Sequence, residues 1–252
     1  MSALSSPVEP TTTPASVVSD GPRFRHMVAG VSLVLSPLFL LAAFVVVPTM
    51  ASDTRAELAA IAQHPTQWYL FGLFLLVSYV LLAPAVLGLM HLLRDRAAAW
   101  SGIGGSLAFL GAMASVADTR LVFVHWQMAA PEADRDQMVA LLTRLEAAAG
   151  ATLPFILGTL GLVIGTVLLA IGLYRARAVP TWVAAALGVG IVANLAAFIA
   201  GSRPGLIASS AILVLAYGYI GLVFLRQSDR DWEHRAGTLV PAQRPTLRSR
   251  EG

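Results

Sequence analysis

Asp118, Arg120 and His125 fall inside or at the end of a long apolar run, where ionisable side chains are rare and costly. A carboxylate at the centre of a bilayer costs about 2.5–3.5 kcal/mol on insertion scales. Depth lowers that cost here, because Asp118 stands ~25 Å along a helix from Ser101, in the outer quarter of a hydrocarbon core ~30 Å thick. His125 returns to nearly the same helix face, whereas Arg120 points about 200° away from Asp118 at about 100° per residue. An Asp and a His sharing a face can shuttle protons or hold a ligand. An axial separation of about 10 Å keeps the two from touching each other. Two readings stand for each end of this group: Asp118 as a functional carboxylate or as a hydrogen-bond partner of a neighbouring helix, and Arg120 as a ligand contact or as an anchor reaching headgroups or Glu146.

A second set of polar residues lies at a similar depth. Asn194 sits ~20 Å from the inner end of its run, in the same half as Thr159, Ser209 and Ser210, and together they can converge on one polar cavity. The alternative is hydrogen bonding between helices, which is worth about 0.6 kcal/mol per bond in membranes. Gly158, Gly161, Gly165 and Gly172, in GTLGLVIGTVLLAIG, recur on one helix face and allow a neighbouring backbone to come close. Ala193, Ala197 and Gly201 form a similar stripe, within reach of that face inside the fold or across a dimer. Pro84, in LLAPAVLG, should kink its helix, and Pro37 and Pro154 interrupt or begin others.

Several chemistries lack their residues. The sequence has no Cys, which removes disulfides, thiol nucleophiles and thiolate metal sites. His91 and His125 belong near opposite ends of their helices, so they cannot share a haem iron. No H-E-x-x-H, G-x-S-x-G elbow or P-loop is present. With no nucleophile, base and orienting group to name together, the expectation is a non-enzymatic protein without cofactor or metal.

The elements that carry these residues are membrane spans. Of the 252 residues, 57% are hydrophobic and only 12% charged, against about a quarter charged in soluble domains. Six apolar runs are each about long enough to cross the bilayer: Val28 to Pro48, Trp68 to Leu92, Ser101 to Val124, Leu153 to Tyr174, Trp182 to Ala200 and Gly205 to Leu225. All seventeen basic residues are Arg. With the N-terminus inside, twelve fall on inner segments and four (Arg55, Arg135, Arg144 and Arg203) on outer ones, which places both termini in the cytoplasm. The net charge of +3 reads as orientation rather than nucleic-acid binding.

Between spans, Ser52 or Asp53 can cap a short helix through Leu58 and Ile61 that His64-Pro65 stops. A second short helix after Pro131 starts with Glu132 and Asp134 and carries Met138, Leu141, Leu142 and Leu145 at helical spacing. Each is expected to lie flat on the outer surface with its apolar stripe against the membrane. The order of span, short helix, returning span and Arg-x-Arg turn occurs twice, ending in Arg94-Asp95-Arg96 before Trp100 and Arg175-Ala176-Arg177 before Trp182. Residues 1–22, rich in Ser, Thr and Pro, and residues 227–252, mixing Arg with acids, read as disordered cytoplasmic tails flanking a transmembrane domain of residues 23–226. The first run is too long for the 7–15-residue core of a signal peptide cleaved near Thr49-Met50-Ala51.

The span-2 ending GLMHLLRDR, the Trp100-Ser101-Gly102 opening of span 3 and the turn GLYRAR before Thr181-Trp182 resemble a group of uncharacterised multi-pass membrane proteins common in high-GC Gram-positive bacteria. The resemblance covers about residues 25 to 226, and implies topology without any activity or site residue to carry over. The expectation is therefore an all-α, polytopic membrane helix bundle of six transmembrane helices with two short outer amphipathic helices. It would bind or pass a small amphiphilic molecule through an outward-facing cavity near Asp118, Arg120, His125, Asn194, Thr159 and Ser209. The alternative is a structural or regulatory subunit that pairs with itself or another membrane protein through the span-4 glycines.

Overall fold

The computed structural model describes residues 21–48 and 53–226, so the expected tails lie outside the described residues except for residues 21 and 22. Eight helices follow in order: α1 (Gly21–Val46), α2 (Thr54–Gln63), α3 (Pro65–Leu93), α4 (Ala98–Met128), α5 (Arg135–Ala147), α6 (Ala149–Arg175), α7 (Thr181–Ile199) and α8 (Arg203–Arg226). There is no strand among the described residues. Six helices, all but α2 and α5, are long and apolar enough to cross a membrane. Bulky apolar side chains such as Ile103, Leu110, Val189 and Leu215 stand exposed on the outside of the bundle, the arrangement that lipid tails favour and water does not.

Local chemistry sets the helix ends. Asp53 accepts a hydrogen bond from the Ala56 N–H at 2.9 Å and so caps α2. Pro65 cannot donate within a helix, so α2 ends at Gln63 and α3 begins at Pro65, where a missing N–H costs nothing. Asp134 caps α5 by accepting from the N–H groups of Asp136 and Gln137, at 3.0 and 3.2 Å. Helix α3 continues through Pro84. In the turn after α6, Arg177 takes a left-handed backbone conformation (φ 50°), which reverses the chain into α7.

The six long helices form a ring in chain order. Each packs on its predecessor, from α1 through α3, α4, α6 and α7 to α8, and α8 closes the ring against α1. Small residues make the seams tight. The face of Gly158, Gly161 and Gly165 meets Gly104, Ala108, Gly111 and Ser115 of α4, backbone against backbone. Gly172, further along the same face, abuts Trp100 and Leu93. Gly221 of α8 approaches the Gly30 carbonyl of α1 in the same way. Between α1 and α3, Ser36 and Ser78 each donate to the other's carbonyl, at 3.0 and 2.9 Å, a reciprocal pair buried in the seam.

The inside of the ring is filled unevenly. At the end that holds the Arg-x-Arg turns, Leu33, Leu89, Leu173, Leu187, Leu213 and Phe224 belong to one buried core. Tyr217 of α8 is buried in the same core. At the opposite end Val47, Leu58, Ile61, Trp68, Met128 and Leu142 make a second core that fastens α2 and α5 over the bundle. This corrects the expectation that the apolar stripes of the two short helices face the membrane. Leu58, Ile61 and Leu142 are at most 1% exposed, turned into protein rather than toward lipid. The two short helices also touch each other, through Arg55 on α2 and Asp136 on α5. The doubled order read in the sequence thus becomes two helix hairpins, α1 with α3 and α4 with α6, each contributing one helix to a shared cap.

The α4–α6 seam makes a direct prediction. A methyl group at Gly165 would collide with the backbone of Ala108, and the helices must separate to admit it. Gly165→Ala should therefore destabilise the bundle by about 1–3 kcal/mol, measured as thermal unfolding in lipid nanodiscs. Gly102→Ala, where a methyl meets nothing within 4 Å, should leave the midpoint unchanged or raise it.

Candidate functional site

Between the two cores lies a cavity of about 960 Å³. The size follows from what stops on either side of it. On α4 and α6 the tight ladder ends at Ser115 and Gly158, and beyond that point the cavity is lined by Asp118 and Thr119 on one helix and by Phe155 and Thr152 on the other, with Thr159 beside the last rung. Phe44, Trp68, Phe71 and Phe198 supply aromatic wall, and Glu57, Leu142 and Leu145 of the cap helices close the end.

Asp118, His125, Thr159 and Asn194, expected to act together, all line this one cavity. Two other expected residues do not. Ser209 lies buried behind Asn194, where its hydroxyl accepts from the Asn194 side-chain amide at 3.0 Å and donates to the Gly205 carbonyl at 2.8 Å. Ser210 accepts from the same amide at 3.2 Å. The pair fixes the orientation of Asn194 and leaves its carbonyl oxygen as the group that can act as an acceptor elsewhere. Arg120 is exposed and outside the lining, as its rotation from Asp118 along the helix requires. The glycines read as a packing face lie against α4 of the same chain, so pairing with another protein through them would require α4 to leave.

Glu57 was not singled out in the sequence, yet it lines the cavity from α2 and accepts a hydrogen bond from His125 Nδ1 at 2.9 Å. A carboxylate can only accept, so this bond places a ring proton on Nδ1. The signal available beforehand was position: Glu57 and Ile61 are one helical turn apart, so a buried Ile61 turns Glu57 toward the bundle as well. The distance along the chain from Glu57 to His125 hides the pairing from any local pattern. His125 is thus occupied by the cap, and Asp118, one helical face below it, is left without hydrogen bond or ion pair among the described residues. Tyr79 of α3 also lines the cavity, close enough to feel the Asp118 charge. No Arg lines it.

Trp68 ties the wall together by donating its indole N–H to the Val122 carbonyl at 2.9 Å. Arg203 at the start of α8 donates to the carbonyls of Phe44, Val45 and Pro48, at 3.4, 2.6 and 3.4 Å, and so satisfies the carbonyl end of α1 while closing the ring beside the cavity. At the far end Arg175 stacks over Trp100 at 5.6 Å, joining the two Arg-x-Arg turns. Among the described residues no group of three or more His, Asp and Glu gathers as metal ligands would.

Fold and site together define a multi-pass integral membrane protein with a partly polar cavity inside a ring of six helices. Comparison with family models, with curated proteins and with solved structures finds no match to this chain, so the reading of the site rests on its own residues.

The Glu57–His125 bond should hold the cap. Removing it with Glu57→Ala costs about 1 kcal/mol, or roughly a fivefold rise in local opening. Amide hydrogen exchange within residues 54–63 should accelerate by that factor while the protected core of α3 and α4 exchanges at the wild-type rate. An unchanged rate in α2 would show that the apolar contacts of Leu58 and Ile61, with the Arg55–Asp136 pair, hold it without the Glu57–His125 bond.

Proposed function

We propose that this protein binds a small amphiphilic molecule in the cavity beneath α2 and α5, and that it acts by binding or passage rather than by catalysis. One observation carries the reading: a cavity of about 960 Å³ whose wall is largely aromatic and aliphatic, with polar groups such as Asp118, Thr159 and Asn194 among its lining. Ligand sites of about 300–1,000 Å³ have this composition, an apolar body with polar groups that set orientation. A carboxylate inside a span also marks a pathway or a ligand contact more often than a packing feature. The filled core at the other end favours a blind pocket in this conformation, entered from the cap end.

The direction follows from the Arg distribution. Arg94, Arg96, Arg175 and Arg177 sit in the turns opposite the cap, and the proposal puts that end in the cytoplasm, with both chain termini, and the cavity toward the outer side. Single cysteines are clean reporters because the natural sequence has none. In intact cells a membrane-impermeant maleimide should label Gln67→Cys at the cap end and spare Thr181→Cys at the turn end until the membrane is permeabilised; the reverse pattern overturns the orientation.

The binding reading is tested by thermal unfolding of nanodisc-embedded protein against a panel of single-chain and fused-ring amphiphiles. At least one should raise the midpoint by a few degrees, as a ligand at about a hundred times its Kd contributes about 2.7 kcal/mol. Thr159→Trp, which fills the cavity, should abolish that rise, as should Asp118→Ala combined with Asn194→Ala. If no panel member distinguishes wild type from Thr159→Trp, the cavity is not a binding site.

A further inference from the structure

We infer that the ligand of this cavity is an organic cation with an apolar body, and that Asp118 is its counter-ion. The inference rests on the binding reading above and deepens it. Three side chains that can carry full charge at neutral pH face the cavity: Glu57, His125 and Asp118. Glu57 and His125 are spent on each other at 2.9 Å, which leaves one carboxylate. Asp118 receives no hydrogen bond and joins no ion pair among the described residues.

Its surroundings decide the sign of what it attracts. The neighbouring helices bring no basic side chain to the wall, and Arg120 projects from the opposite face of α4 to the exterior. Inside apolar walls a single charge acts over a longer range than it would in water, because the medium screens it less. An anion or a carboxylic amphiphile would meet repulsion from Asp118, softened by His125 and Arg120, which act on its charge at a distance without pairing with it. A cation meets a carboxylate without a hydrogen-bond or ion-pair partner among the described residues, and the aromatic residues Tyr79, Phe71 and Trp68 in the lining suit an apolar body and tolerate positive charge nearby. Asn194, with its amide N–H groups held by Ser209 and Ser210, presents a carbonyl oxygen that can accept from an ammonium N–H. An alkyl or aryl amine or a quaternary cation fits these features, and a phosphate or fatty acid does not.

The test uses the full chain in membranes with Thr159→Cys as the sole thiol. Its rate of modification is compared between a cationic and an anionic methanethiosulfonate reagent of similar size, and the ratio is referred to that of the exposed Gln67→Cys. The cationic preference at Thr159→Cys should exceed that at Gln67→Cys roughly tenfold or more, and Asp118→Asn, nearly equal in shape, should return it to the surface value. Tetraphenylphosphonium should slow the modification and tetraphenylborate should not. If both reagents reach Thr159→Cys with no preference beyond the surface value, the cavity stands and the cation assignment falls. If the preference survives Asp118→Asn, Asp118 is not the counter-ion. If neither reagent reacts at Thr159→Cys while Gln67→Cys is labelled, the water-accessible cavity itself is wrong, and the inference falls with it.

Discussion

The backbone contact between α4 and α6 is the constraint on which the rest of this bundle depends. In lipid, apolar side chains gain little by meeting each other rather than acyl chains, so helix association relies on close packing and on polar bonds between helices. Gly104, Ala108, Gly111 and Ser115 on one helix and Gly158, Gly161 and Gly165 on the other remove the side chains that would keep the backbones apart. That contact fixes the rotation of both helices about their axes. Once rotation is fixed, the next residues along the same face of α4 are Asp118 and Thr119, and they turn inward without further instruction. The position of the carboxylate is thus a consequence of the ladder that ends one turn before it.

Cavity formation follows from where close packing stops. Toward the Arg-x-Arg turns, Leu, Ala and Phe side chains from all the long helices fill the ring. Toward the other end the ring is closed by different means: two short helices cross the opening, Glu57 and His125 link one of them to α4, and Arg203 satisfies the end of α1. A cap held by a hydrogen bond and a small apolar cluster can enclose a space that long helices packed along their whole length would have eliminated. The same cap engages His125 and Glu57 with each other and leaves Asp118 as the carboxylate of the cavity without a hydrogen-bond or ion-pair partner among the described residues.

Much of the fold was legible in the sequence because its causes are local. Apolar run length gave five of the spans to within about four residues of α3, α4, α6, α7 and α8 and missed only the first seven residues of α1, and the Asp53, Pro65 and Asp134 signals set the ends of the short helices where they are found. The glycine face was visible too, but its partner was not. The small residues of α4 that receive it read as a Gly-rich stretch, and only the folded arrangement shows that the two ladders mesh within one chain. Amphipathic spacing in α2 and α5 correctly implied a buried stripe, yet the same pattern fits burial in lipid or in protein, and the structure chooses protein. The site was half legible. Depth along the helices brought Asp118, Thr159 and Asn194 into the same half of the bundle and helix periodicity put His125 on the face of Asp118, whereas the roles of Glu57, Ser209 and Arg203 arise from contacts between residues distant in sequence, for which periodicity offers no signal.

The ring is hollow at the capped end and filled at the other. Site-directed spin labels along α6 test this arrangement most directly, with collision rates measured against a water-soluble nickel complex and against oxygen, which concentrates in lipid. High nickel contact is expected at positions 152, 155 and 159, low nickel contact at 166, 169 and 173 on the same side of the helix, and high oxygen contact at the outward positions 157, 160 and 164. Nickel contact absent at 155 and 159, or continuing through 166 to 173, would contradict it, the first by showing a filled bundle and the second by showing an open pore.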